Sequence, residues 1–344
     1  MESLFLCNAQ VGLSYSSSLH VGHSYLPLKH LSRPCANTSP TSKLFLHCDS
    51  HTQSHTRLRA VVGSAPLLKH TVKFLRKKIS VSMGDSVSVI PNDKGDLKVF
   101  QNGDELAASL GEYVAGLSQS AITERGAFAV VLSGGSLMNA LRKLTEPPYL
   151  NSIDWGRWHV FWADERVVAK DHSDSNYKLA YDNFLSKVPV VPGCVYSIND
   201  SLSAEAAAED YETGLRQLVK TGVVDVSKDT GFPKFDLILL GIGPDGHIAS
   251  LFPNHPLLNE KVKWITSITD SPKPPPERIT FTLPVLNSAA NVAVVATGAG
   301  KADTFKRVFG VEQHDELLPV QMVSPKDGKL TWFTDKEAVA KIVN

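Results

Sequence analysis

Residues suited to acid–base and anion chemistry fall in four short blocks of the 344-residue chain. The richest runs from Phe235 to Pro253. Its first part, Phe235 to Leu240, is a continuous apolar run, followed by Gly241, Gly243 and Gly246 with Pro244 and Asp245 between them, and then His247. An apolar run of this length is the pattern of a strand buried on both faces of a parallel sheet. The glycines after it, Gly243 among them, allow a tight turn and close backbone approach to a ligand. An imidazole just past the carboxyl end of such a strand sits where open α/β sheets bind ligands. Taken alone, a histidine after a glycine turn is more often a capping or packing residue, so the other blocks carry weight.

The second block is Ser133-Gly134-Gly135-Ser136, after the apolar run Phe128–Leu132 and before a helix expected from about Leu137. Strand, glycine turn and helix can hold a phosphate on backbone N–H groups, although an ordinary strand-to-helix turn has the same composition. It matches neither a Walker loop nor a dinucleotide fingerprint. The third block, Asp164-Glu165-Arg166, ends the strand Trp158–Trp162, a place where unpaired charge is costly. It reads either as a pocket wall or as a mutually paired surface cluster. The fourth is Gly298-Ala299-Gly300-Lys301, after the strand Asn291–Thr297. Lysine there suits an anionic ligand as a point charge, though most single lysines on helices are only solvated.

These blocks need a scaffold, and the surrounding pattern supplies one. Val87–Ile90 and Leu97–Phe100 read as paired strands around a turn at 92–95. Asn102 reads as an N-cap, with Glu105 three residues on, for a helix to about Glu124. Helices are also expected over Tyr177–Leu185, over Ala204–Val219 after Ser203, and from Lys301 to about Phe309. Trp264–Ile268, Arg278–Leu283 and Leu330–Phe333 read as strands, Ser271–Pro276 as a proline-rich loop, and Thr334 or Asp335 as the cap of a terminal helix. The fold class is therefore α/β: a Rossmann-like, mostly parallel sheet with helices on both faces. All four blocks would sit on its carboxyl edge.

Composition narrows the function classes. Equal numbers of basic and acidic residues, 35 each, argue against a nucleic-acid partner recruited by bulk charge. No apolar run approaches ~20 residues, so no membrane span is expected. Three of the four cysteines, Cys7, Cys35 and Cys48, lie in the first fifty residues and leave Cys194 alone; neither a disulfide framework nor a cysteine zinc site follows. No His/Asp/Glu group has clear metal-ligand spacing. Residues 1–84 differ from the rest: rich in Ser, Thr and His, basic, and with only Glu2 and Asp49 as acids over the first sixty residues. That composition reads as a plastid transit peptide and linker, although a plain disordered tail shares it. A single α/β domain is expected over 85–344, and a second, cytosolic product starting at Met83 is compatible with the sequence.

With the four blocks in hand, the chain resembles the 6-phosphogluconolactonases. The resemblance rests on Ser133–Ser136, Trp162–Arg166, Ser175-Asn176-Tyr177, Leu240–Pro253, Pro276–Ile279 and Thr297–Ala302, in family order from about residue 87 onward, and with the leader it is similar to the plant plastid form. It implies a sugar-phosphate isomerase/deaminase-like fold and hydrolysis of 6-phospho-D-glucono-1,5-lactone to 6-phosphogluconate in the oxidative pentose phosphate pathway, with no metal and no organic cofactor. The partner implied is that small lactone; oligomeric state stays open, and a monomer is compatible.

The resemblance implies His247 as general base, with Asp245 biasing its tautomer or merely closing the turn. It implies Arg166, counted also with the catalytic set, and Lys301 as phosphate anchors, with Ser133, Gly134, Gly135 and Ser136 donating N–H groups. Arg278 would serve the phosphate or the oxyanion. Asp164 would bind sugar hydroxyls or orient Arg166. Two rivals stand beside this reading. One is an amino-sugar-phosphate deaminase or isomerase, disfavoured because Phe252 stands where that family has a glutamate five residues after the histidine, and Arg166 where it has a tyrosine. The other is a non-catalytic sugar-phosphate-binding protein on the same scaffold.

Overall fold

The computed structural model of the protein describes residues 87–92, 94–310 and 315–342. The expected transit segment, Met83 and the expected domain start at residue 85 lie outside the described residues. Twelve strands occur among the described residues. They are β1 (Val87–Asn92), β2 (Gly95–Phe100), β3 (Phe128–Leu132), β4 (Trp158–Trp162), β5 (Asp164–Arg166), β6 (Asp225–Val226), β7 (Pro233–Lys234), β8 (Leu237–Leu240), β9 (Ile265–Ile268), β10 (Arg278–Phe281), β11 (Asn291–Ala296) and β12 (Lys329–Asp335).

The main sheet has the order β1-β2-β12-β11-β8-β3-β4. Only β1 runs antiparallel to its neighbour; the other six strands are parallel. Side-chain alternation sends each central strand to two cores. On one face lie Ala129 and Val131 of β3, Ile238 and Leu240 of β8, and Val292 and Val294 of β11. They pack with Tyr211 and Leu215 of the helix Ala204–Lys220 and Phe305 of the helix Ala302–Phe309. On the other face Phe128, Val130, Leu237, Leu239 and Val295 meet Leu106, Leu110 and Val114 of the helix Gly103–Arg125. Burial on both faces is why these strands read as unbroken apolar runs.

The local signals hold where they are strong. Asn102 accepts from the N–H groups of Asp104 and Glu105 at 3.0 Å each, and Ser175 and Ser203 cap their helices in the same way. Two expected helices differ. The one after Ser136 has a single α-helical turn, Leu137–Ala140, followed by a 3₁₀ turn, Arg142–Thr145; Pro147 and Pro148 then bar any helical continuation. The terminal helix does not form. Asp335 caps as expected, accepting from Ala338 N–H at 2.9 Å, but residues 336–342 form turns closed by three-residue bonds such as Ile342 N–H to Val339 O.

A second sheet, not foreseen, positions the site. β5, β10 and β9 form an antiparallel trio in the order β5-β10-β9, with Arg278 opposite Arg166 and Thr280 opposite Asp164. Ala163 is the transfer point. Its N–H bonds Leu132 O at 2.8 Å, extending the parallel sheet, and its carbonyl accepts from Phe281 N–H at 2.7 Å, starting the antiparallel one. The strand order also reverses between β3, which leads to β4, and β8, which leads to β11 on the other side. Crevices at such switch points are where ligands sit in open α/β sheets.

Candidate active site

At that switch point the loops after β3 and β8 lie side by side, so close that a Cβ added at Gly241 would stand 3.7 Å from Gly134 O. They border a cleft of about 250 Å³. Its walls hold Ser133, Gly134, Gly135, Ser136, Asp164 and Arg166. Gly243, His247, Arg278 and Lys301 complete them. All four sequence blocks therefore meet in one cleft. Of the expected site residues only Asp245 stands out of the wall, behind the His247 ring.

The His247 loop positions itself. Gly243 N–H bonds His247 O at 2.9 Å and Gly246 N–H bonds Gly243 O at 3.0 Å, with Gly246 at φ +82°. A side chain at Gly243 has no room: its Cβ would lie 2.0 Å from His247 Nδ1 and 2.5 Å from Asp245 Oδ1. Within the loop, His247 Nδ1 and Asp245 Oδ1 are 2.5 Å apart. The contact fixes the neutral tautomer, with the proton on Nδ1 donated to the carboxylate and Nε2 left as the basic nitrogen. The face of the ring rests on Phe252, centroids 4.8 Å apart. Burial lowers the imidazole below its ordinary value, Asp245 opposes that, and nearby Lys273 adds to it. The ring is thus held neutral near pH 7. Burial pulls Asp245 upward, but its bonds to His247 and Lys273 prevail and leave it below the usual carboxylate range.

The opposite wall is built over long sequence distances. Asp164, almost fully buried, accepts from Ser250 Oγ at 2.8 Å and lies 4.0 Å from Arg166 Nε. Arg166 Nη1 donates to Asp174 O at 2.8 Å. Glu165 points inward and accepts three backbone N–H groups, from Arg166 at 2.8 Å and from Asn176 and Tyr177 at 2.7 Å each. Burial pushes its carboxyl up to about 7, against the pull of those N–H groups. Asn176, thus fixed, donates to Asp164 O at 2.9 Å and fills the space beside Gly134, where a Cβ would fall 2.0 Å from its Oδ1.

Arg278, in the cleft wall, spends most of its donors on nearby backbone. Nε donates to Pro275 O at 2.9 Å, Nη2 to Lys273 O at 2.7 Å and Pro274 O at 3.1 Å, and Nη1 approaches Ser250 Oγ at 3.4 Å. With five N–H groups on a guanidinium, one remains for a ligand. Lys301 sits in the 3₁₀ turn Ala299–Lys301, after Gly298 at φ +84°, whose N–H is held at 3.0 Å by both Asp335 oxygens. Burial lowers its ammonium, and Lys273 lowers it further.

Sequence reasoning missed Lys273, Glu165 and Ser250 as contributors. Lys273 lay in what read only as a proline loop, yet its Nζ is 3.2 Å from Asp245 Oδ1. A basic residue framed by prolines was its one local signal; the pairing of β10 with β5 that brings the loop here leaves none. Among the described residues no three His, Cys, Asp or Glu side chains converge as metal ligands would.

The family model for glucosamine-6-phosphate isomerases/6-phosphogluconolactonase matches residues 101–332. A rice (Oryza sativa subsp. indica) protein named probable 6-phosphogluconolactonase 4, chloroplastic, is 63% identical over 250 residues, covering 72% of this chain and 77% of its own. The Arabidopsis thaliana protein named 6-phosphogluconolactonase 3, chloroplastic, is 50% identical over 304 residues, 87% of this chain and 91% of its own. Among solved structures, the 6-phosphogluconolactonase from Thermotoga maritima superposes with a TM-score of 0.58 at 28% identity, covering 70% of this chain and 99% of that one. The devB protein gives 0.63 at 29%, covering 72% and 98%. The chain belongs to the glucosamine-6-phosphate isomerase/6-phosphogluconolactonase family, and within it to the 6-phosphogluconolactonase, hydrolase branch.

Proposed function

We propose that the chain hydrolyses 6-phospho-D-glucono-1,5-lactone to 6-phosphogluconate, with His247 as general base. The observation that carries this is the Asp245–His247 pair at 2.5 Å, its ring in the wall of a cleft that also holds Arg166 and Lys301. Relatives 50–63% identical bear the 6-phosphogluconolactonase name, which supports the substrate class.

In the proposed reaction a water oxygen bonds to the lactone C1 while its proton passes to His247 Nε2. The C1–O bond of the ring then breaks, and the imidazolium returns the proton to the departing ring oxygen. No covalent enzyme intermediate is needed, because an activated cyclic ester already opens in water; positioning and one base worth about 10²–10⁴-fold suffice. Arg166 and Lys301 take the phosphate, which relieves the strain of two partly buried cations. Backbone N–H groups of 133–136 assist. Asp164, held by Ser250, orients Arg166, and the one uncommitted N–H of Arg278 is left for the phosphate or the oxyanion.

The deaminase reading is disfavoured by Phe252, which is buried and fills the floor under His247 where an acid would be required. Purified protein assayed on the lactone and on glucosamine 6-phosphate, beside His247→Ala, tests the proposal. Turnover of the lactone alone is expected, falling to the spontaneous rate in the variant while 6-phosphogluconate still binds. Unchanged turnover in the variant would remove His247 from the mechanism. A lactone rate no faster than spontaneous in the wild type would leave the binding-protein reading. The chloroplastic names of the rice and Arabidopsis relatives support a plastid address for this chain. A cytosolic product starting at Met83 is the alternative; N-terminal sequencing of the organellar protein tests the leader, since an intact residue 1 would refute its removal between residues 60 and 85.

A further inference from the structure

We infer that Lys273 is a positioning residue of this site: its ammonium bridges to Asp245 and, by standing against the same edge of the imidazole, reinforces burial in keeping the resting His247 ring uncharged. The inference rests on the reading of His247 as the base. Lys273 Nζ is 3.2 Å from Asp245 Oδ1 and 3.3 Å from His247 Nδ1. The second contact is no hydrogen bond in the working tautomer. Nδ1 already carries the proton it gives to Asp245, and an ammonium has only donors. What remains between them is repulsion of any positive charge on the ring. Lys273 thus adds to burial in favouring the neutral base before reaction and, once the ring has taken the proton from water, favours passing it on to the departing oxygen.

The loop makes that placement deliberate rather than incidental. Lys273 is the one basic residue in Ser271–Pro276. Its carbonyl is gripped by Arg278 Nη2 at 2.7 Å and Ser271 Oγ at 2.9 Å, and its N–H is held by the same serine at 3.3 Å. Arg278 also holds the carbonyls of Pro274 and Pro275. The root of a long flexible side chain is therefore fixed from two sides, which lowers the entropy cost of keeping its tip on Asp245. Lys273 does not line the cleft; its ammonium sits on the Asp245 side of the dyad, near enough to Lys301 to be felt there.

The charges facing His247 are few. Asp245 in its own loop and Asp164 on β5 favour the imidazolium, and Lys273 disfavours it. Arg166, Arg278 and Lys301 share the cleft wall. Losing Lys273 removes the one positive charge in contact with the ring, leaving the Asp245 carboxylate in place.

The experiment is the pH profile of kcat/KM for the phosphorylated lactone in the full chain carrying Lys273→Met and Lys273→Arg, paired with an NMR titration of the His247 ring. In Lys273→Met the acid limb and the ring titration both move up by about one pH unit; KM at pH 8 is unchanged, and Lys273→Arg restores the wild-type profile. An acid limb and ring titration that stay in place would overturn the inference. So would a raised KM with an unmoved acid limb, which would make Lys273 a phosphate ligand. The NMR titration needs no turnover, so it still decides the point if the wild type proves not to be a lactonase.

Discussion

His247 and Arg166 face the same cleft but are held there by different means. His247 is placed by its own loop: Gly243, Asp245 and Gly246, all within four residues, set the turn, the ring plane and the tautomer. Arg166 is placed by a strand that pairs with residues more than a hundred positions away, and by Glu165 reaching forward to Asn176 and Tyr177. A locally built wall is sensitive to single atoms and contributes little to global stability. A wall built over long range couples the site to the core, so its damage appears as lost stability and loosened ligand binding.

The largest effect that sharpens this contrast is expected from Gly243→Ala. The new methyl would occupy the place of the His247 ring edge, and displacing a reacting group by ~1 Å costs about 100-fold in rate. kcat should fall by about that factor, while any shift of the urea midpoint stays too small to account for it, because the atoms met first belong to His247 and Asp245. An unchanged kcat would mean that the loop yields and that the local wall is not tightly built.

Glu165→Ala probes the other wall. It strands three backbone N–H groups, a loss of about 1–3 kcal/mol readable by urea unfolding, with KM raised because Arg166 loses its support. The sign with pH follows from a carboxyl raised to about 7 from 4.5. Between those values the folded state keeps a proton that the unfolded chain releases, so this group's stabilisation is full below about 4.5 and is lost as pH rises through about 7. The difference between wild type and variant should be larger at pH 5 than at pH 8. Equal stability of the two at pH 5 would break the comparison.

The same contrast sets what was readable from residues in order. β3, β4, β8 and β11 were legible because burial on both faces leaves unbroken apolar runs, and Gly243–His247 because its turn is chemically self-contained. The antiparallel trio was not, because three short strands far apart in sequence carry no signal of their pairing. Without it Arg278 looked free for phosphate, whereas most of its donors hold the 273–275 loop, and Lys273 looked like a loop residue. The missing terminal helix has a similar cause. Asp335 caps the segment, but Ala338 and Val339 are drawn into the core in a turn rather than along a helical face.

The central claim is that base and phosphate anchors act on one molecule. Its most direct test compares kcat/KM for the 6-phosphorylated lactone and for unphosphorylated gluconolactone in wild type and in Arg166→Ala/Lys301→Ala. The account predicts a strong wild-type preference for the phosphorylated lactone that collapses in the double variant, with the unphosphorylated rate unchanged. Equal losses on both substrates, or a preference that survives the loss of both cations, would contradict it.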